Sequence, residues 1–213
     1  MSFLAKRYIS FPKYSMWAGL FNAVSNNLTN LMIPTLFSAS TLGLYYLVQK
    51  VLGAPITIIS NAIGQVFLQE ATIEKRKYNH AKNTFNKTIK KLFWIGLPLF
   101  ITLFLSSEYS FSFIFGEQWK EAGKYAAILT PLFFVKFIVS PVSMMNVIFE
   151  KNHVGFYWQM GLMTLTIGIL IISYIMKLSF INFLYLFTTL ISLHYLLLLA
   201  IMSTYNNLSR GTA

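Results

Sequence analysis

The chain has 213 residues, 56% of them apolar and 11% charged, with a formal net charge of +11 and no cysteine. Soluble domains spend about a quarter of their residues on Asp, Glu, Lys and Arg, so this composition cannot cover a water-facing globular surface and points to a bilayer as solvent. The same shortage excludes a nucleic-acid binder, which needs a soluble face for its basic charge, and the lack of thiols excludes a disulfide framework and thiolate metal sites.

Residues 1–14 carry Lys6, Arg7 and Lys13 without the apolar run or small-residue cleavage site of a signal peptide, so none of this segment is expected to be removed. Spanning the hydrocarbon core takes roughly 20 mostly apolar residues in a helix. Six segments of that length lie between charges or turn residues: 16–37, 42–67, 85–105, 122–149, 156–176 and 180–202. Nearly unbroken apolar runs at 167–172 and 193–201 argue against the alternating strands of a barrel. The expected fold is therefore all-α, a polytopic bundle of about six transmembrane helices. Placing the N-terminus in the cytoplasm gives that side Lys6, Arg7, Lys13, Lys75, Arg76, Lys77, Lys82, Lys87, Lys90, Lys91, Lys151 and Arg210, against Lys120, Lys124 and Lys177 opposite. Cytoplasmic connections carry the excess of Lys and Arg, so both termini are expected inside. The cluster at 74–91 is then read first as topology, and contact with anionic lipid head groups is compatible with that reading. Residues 109–115 are too short to span and are expected along the outer interface, with Trp119 and Tyr125 at head-group depth.

A polar group facing lipid has no water to offset its cost, so a regular polar stripe on a spanning helix must face protein or a wet cavity. In the first span Asn22, Ser25, Asn26, Thr29 and Asn30 follow one helical face, with Asn27 beside it. In the second, Tyr46, Lys50, Thr57, Asn61, Gln65 and Gln69 repeat at close to four or seven residues, and Pro55 is expected to kink the helix between them. The fourth carries a weaker stripe of Lys136, Ser140, Ser143 and Asn146 with Pro131 and Pro141, which favours a bent helix. The last two spans offer scattered Ser and Thr, Gln159 and His194, and are expected to face lipid or pack. Isolated Asn or Ser positions default to helix-to-helix hydrogen bonding, but amide after amide on two consecutive helices suggests a hydrated cavity wall. Lys50 and Lys136 either snorkel and pair with carbonyls or meet an anionic ligand such as a diphosphate or an acidic sugar. His194 is read as a packed polar residue.

Catalytic chemistry has no obvious seat. The acids Glu70, Glu74, Glu108, Glu117, Glu121 and Glu150 lie near helix ends or in connections, and His80, His153 and His194 lack metal-ligand spacing. Gly-rich phosphate loops are missing as well. No cofactor is expected, and wet helix faces without reactive groups suit moving a molecule better than changing it.

The stretch Phe115-Gly116-Glu117-Gln118-Trp119-Lys120-Glu121-Ala122-Gly123-Lys124-Tyr125, followed by Pro131 and Ser140-Pro141-Val142-Ser143, resembles the C-terminal half of bacterial polysaccharide-transport flippases, the O-antigen and capsule-unit translocases. Phe11-Pro12-Lys13-Tyr14, Gly43-Leu44-Tyr45 and Gly64-Gln65-Val66-Phe67 are similar to that family in order and spacing. The family resembles the larger multidrug, oligosaccharidyl-lipid and polysaccharide exporters, in which two helical bundles surround a central cavity. The resemblance implies flipping of an undecaprenyl-diphosphate-linked oligosaccharide across the bacterial inner membrane, by alternating access between bundles. It places the cavity candidates Asn22, Asn26, Asn30, Lys50, Asn61, Gln65, Lys136 and Ser140 toward sugar hydroxyls and the diphosphate. Six spans are half of what the family carries, so a matching N-terminal bundle is an expected partner, alongside membrane lipids and polysaccharide assembly proteins; Met1 is then an internal position of a longer protein, or the gene is split or truncated. Other readings are a drug or peptidoglycan-precursor exporter, a membrane subunit of a polysaccharide polymerase, and a remnant of a disrupted gene.

Overall fold

The computed structural model describes residues 10–208. The expected inside positions of Lys6, Arg7 and Arg210 lie outside the described residues. Among those described there is no strand. The helices are α1 (Ser10–Leu36), α2 (Ala39–Val48), a π-helical segment (Gln49–Gly53), α3 (Ala54–Tyr78), α4 (Lys82–Phe115), α5 (Lys120–Val142), α6 (Met145–Ile148), α7 (Asn152–Ile175) and α8 (Phe180–Leu208). A short 3-10 turn, Glu117–Trp119, joins α4 to α5.

Five helical segments are long and apolar enough to cross a membrane: Ala39–Tyr78, Lys82–Phe115, Glu117–Ile148, Asn152–Ile175 and Phe180–Tyr205. The protein is thus a multi-pass membrane protein. The expected first span is a helix of sufficient length, α1 with 27 residues, but it is not among the five, because Asn22, Asn26, Asn27 and Asn30 make it too polar on composition alone.

Local chemistry sets where these helices bend and stop. Pro55 has no N–H to give Val51 and its ring crowds that carbonyl; the chain absorbs the mismatch one turn earlier, in the π-helical Gln49–Gly53, so the expected kink is a bulge. Asn79, at φ 56°, ends α3 in the left-handed conformation and returns its N–H to Lys75 O at 2.8 Å. Gly116, at φ 102°, ends α4, with its N–H on Ser112 O at 2.9 Å. Pro141 lies one residue before the end of α5, and the expected fourth span breaks there into α5 and the single turn α6.

Two expectations for the 108–124 connection are corrected. Residues 109–115 form the last two turns of α4 and no separate interfacial helix, since nothing breaks α4 before Gly116 and Ser106 returns its hydroxyl to Thr102 O at 2.8 Å. Tyr125 is buried, donating to Glu121 Oε1 at 2.7 Å with its ring 4.8 Å from Phe180. Burying that ring among Phe37, Tyr45, Phe180 and Phe183 gains more apolar contact than a head-group position would.

Helix α5 is the axis of the bundle, packing on α4, α8, α3 and α2, while α1 leans on α7. Its buried Leu129, Leu132 and Phe133 meet Phe183, Leu184 and Ile191 of α8 in the core. The α4–α5 contact is close: a Cβ on Gly123 would lie 2.6 Å from Glu108 Cα and 2.7 Å from Ser107 O, so only glycine fits there. A second cluster of Phe67, Ala71, Phe85, Met145, Met202 and Tyr205 closes the end where α3 turns into α4. At that end Lys75 Nζ donates to Ile148 O at 2.6 Å and Tyr205 donates to Asn146 Oδ1 at 2.9 Å. Large side chains such as Trp94, Leu105, Tyr174 and Leu197 are exposed on the outside, as expected of faces whose solvent is lipid.

Candidate functional site

Helices α1 and α3 share no extended packing, because each leans on a different neighbour. Between them lies a cavity of about 510 Å³. Asn22, Ser25, Thr29 and Asn30 line it from α1, and Thr57, Ser60 and Asn61 from α3. Tyr45, Tyr46, Gln49, Lys50 and Gly53 line it from α2 and the π bulge; Phe133, Lys136 and Ser140 line it from α5.

Of the eight sequence-derived candidates, Asn22, Asn30, Lys50, Asn61, Lys136 and Ser140 share this one cavity. The side chain of Asn26 lies outside the described residues. Gln65 does not line the cavity; it is exposed one turn beyond Asn61, where the lining of α3 has ended. The expected stripe on the fourth span divides in the same way. Lys136 and Ser140 reach the cavity, whereas Ser143 bonds Ser140 O at 2.7 Å and Asn146 is buried against Tyr205 at the far end. The break between α5 and α6 is the reason, since it ends the helical register that would have aligned them.

The last two spans do more than pack or face lipid. Leu162 and Thr166 of α7, and Phe187, Ile191 and Tyr195 of α8, also line the cavity. Gln49 and Ser60 likewise went unpredicted, although each has a signal in the i, i+3 spacing from Tyr46 and Thr57. Tyr195 has none, being one phenol in an apolar helix. His194 is fully engaged with α7: its Nε2 lies 3.0 Å from Trp158 O, Trp158 Nε1 donates to His194 O at 3.2 Å, and the two rings stack at 5.1 Å.

Several cavity hydroxyls are already donating within their own helices. Ser25 bonds Phe21 O at 2.7 Å, Thr57 bonds Gly53 O at 2.8 Å, and Thr166 bonds Leu162 O at 2.8 Å. Gln49 Nε2 donates to Tyr45 Oη at 2.7 Å. Ser60 differs, because its Oγ is buried without a hydrogen-bond partner. Buried polar atoms in native proteins are normally satisfied, so Ser60 marks a place where water or a ligand belongs.

The charge in the cavity is all of one sign. Lys50 is exposed, with Nζ 5.2 Å from the Tyr46 ring. Lys136 is half-buried, with Nζ 5.5 Å from the Tyr195 ring and 6.0 Å from the Phe133 ring. No acid lines the cavity, and neither lysine takes part in an ion pair among the described residues. Aromatic faces attract a cation within about 6 Å but leave its N–H donors unused. Such a site attracts anions and offers amides to hydroxyl-bearing groups. Among the described residues no group of three or more His, Cys, Asp and Glu could hold a metal.

Over residues 3–124 the sequence matches the family model described as polysaccharide biosynthesis protein. The chain belongs to that family. No curated protein and no solved structure matches it. In this polysaccharide biosynthesis protein the matched stretch runs through α1, α2, α3 and α4 into the first turns of α5. It contains Asn22, Asn30, Lys50 and Asn61, while Lys136 and Ser140 lie beyond it.

Proposed function

We propose that this protein translocates an undecaprenyl-diphosphate-linked oligosaccharide across the bacterial inner membrane, without catalysing a covalent step. The observation that carries the reading is the cavity between α1 and α3, where two lysines without acidic partners lie among Asn22, Asn30, Asn61 and Gln49. A diphosphate needs cations in a region of low dielectric, and sugar hydroxyls exchange water for amides at little cost. A polyprenyl chain needs no protein cover, because the bilayer already solvates it. Membership of a polysaccharide biosynthesis family supports the same class of cargo.

A second helical bundle, as in other repeat-built transporters, would face the gap between α1 and α3 and alternate the side to which the cavity opens. The basic end that holds Lys75, Arg76, Lys77, Lys82, Lys87, Lys90 and Lys91 would lie in the cytoplasm. Both termini would share that side.

The test is carried out in cells that carry this chain and display a surface polysaccharide. Removing it should leave the lipid-linked oligosaccharide on the cytoplasmic leaflet and the surface bare. Wild type should restore display, Lys50→Arg should restore part of it, and Lys50→Gln at matched protein level should not. Full display with Lys50→Gln, or surface polysaccharide unchanged without the chain, overturns the reading.

A further inference from the structure

Helix α4 presents one uninterrupted outer stripe. Asn83, Lys87, Lys90, Lys91, Trp94, Pro98, Ile101, Thr102 and Leu105 recur every three or four residues, and all of them are exposed. The opposite face, Phe85, Leu92, Gly96, Phe100, Ser107 and Phe111, is buried. The outer stripe is graded along its length: three lysines, then Trp94, then Pro98, Ile101, Thr102 and Leu105, with the acidic Glu108 on the same face near the far end. At 34 residues α4 is about 50 Å long, well over the roughly 30 Å of a hydrocarbon core. One end of it must therefore project, and the grading says which. Tryptophan settles at the membrane–water boundary, so Trp94 marks that level. Lys90 and Lys91 stand about 5 Å beyond it along the axis and Lys87 about 10 Å, the zone of lipid phosphates.

These lysines make no ion pair among the described residues, while Lys75 and Glu74 at this end are engaged. Lys75 donates to Ile148 O and lies 4.8 Å from the Phe149 ring. The Glu74 carboxylate accepts from the backbone N–H groups of Asn83 at 3.0 Å and Thr84 at 2.7 Å, which caps α4 and fixes its angle to α3. The hairpin thus holds three unneutralised cations on a rigid helix at phosphate depth.

We infer that the α4 face formed by Lys87, Lys90 and Lys91 above Trp94 is a docking surface for anionic phospholipid head groups in the leaflet at this end of the bundle. Juxtamembrane lysines near an anionic leaflet each contribute about a fivefold preference, so three amount to roughly a hundredfold at low salt. The site is separate from the cavity between α1 and α3 and does not depend on what that cavity carries.

The experiment places the purified full chain in nanodiscs of phosphatidylcholine with a minor fraction of phosphatidylglycerol. Native mass spectrometry then reads the lipids that stay bound. Wild type should retain phosphatidylglycerol far above its share of the bilayer. The K87Q/K90Q/K91Q variant, checked for unchanged helicity by circular dichroism, should retain the two lipids in bilayer proportion. The K120Q/K124Q/K177Q variant loses the same charge at the other end and should behave as wild type. Inorganic phosphate should displace no more lipid than chloride of equal ionic strength. Equal loss in both triple variants would show only the attraction of net charge, and displacement by inorganic phosphate would show a soluble-anion site; either result overturns the inference.

Discussion

Replacing Lys136 by Met separates what the lysine costs from what it does. A lysine well inside a spanning helix costs about 2.5 kcal/mol at the lower end of insertion scales, the lower figure applying because Lys136 opens onto a polar cavity and not onto lipid. The rings of Tyr195 and Phe133, at 5.5 and 6.0 Å, return about 0.5–1 kcal/mol each. No carboxylate lines the cavity to supply the rest. A deficit of about 1 kcal/mol therefore remains, and Met, similar in length and apolar, should remove it while filling the same space. For a chain of this size that corresponds to a melting temperature about 2–4 °C higher. The assay is thermal unfolding in lipid nanodiscs followed by tryptophan fluorescence, paired with surface polysaccharide display at matched protein level. Higher stability with lost display is the expected pair, since sites built for function carry groups that folding alone would not keep. A melting temperature lower by several degrees would make Lys136 a structural residue and refute the reasoning.

Three further outcomes follow from the packing and from the proposed topology. Gly123→Ala puts a methyl group against the backbone of Glu108, so α4 and α5 must separate; a loss of about 1–3 kcal/mol is expected, and melting within about 1 °C of wild type would contradict the contact. Glu74→Ala strips the acceptor from the N–H groups of Asn83 and Thr84, at about 1–2 kcal/mol, and hydrogen exchange at those two amides should accelerate; unchanged protection would mean the carboxylate caps nothing. Single cysteines at Lys82 and Thr41 of this cysteine-free chain should label from opposite sides of the membrane, and reaction of the Lys82 position with an impermeant reagent outside intact cells would invert the proposed orientation.

The helices were legible because their signal is additive. Twenty apolar residues between charges identify a span whatever it packs against, but the spans read as 42–67 and 85–105 stop short of the helix ends at Asn79 and Gly116, where residues suited to positive φ close α3 and α4 beyond the apolar runs. The part of the cavity wall that the polar stripes supply was legible too, since on a helix that must cross lipid a repeated amide has few places to go. What escaped were positions decided by contacts between helices. Tyr125 looks like a head-group anchor until Phe180 is found beside it, and Tyr195 is a lone phenol until α8 meets α5. Gln65 keeps the spacing of the stripe but outruns the cavity, whose length is set by how α3 lies on α5. Ser25 and Thr57 show the opposite error. Their spacing is right, yet each hydroxyl already donates to a carbonyl four residues back.

The polarity of α1 bears directly on how the cavity works. Its asparagines keep it out of the group of helices apolar enough to span, yet it is helical over 27 residues and packs along α7. A helix that meets lipid poorly on one face is held in place by its other face and by whatever fills the cavity beside it. The floor of that cavity is α5, which packs on several neighbours, while its two walls, α1 and α3, do not brace each other. The π bulge lies at the start of the α3 wall and carries Lys50, at a point where one backbone register gives way to another. An anion drawn between Lys50 and Lys136 would pull the bulge toward α5. The wall that contains the bulge thus carries one of the two cavity lysines, so an anion held between Lys50 and Lys136 would act on the shape of the cavity as well as on its charge.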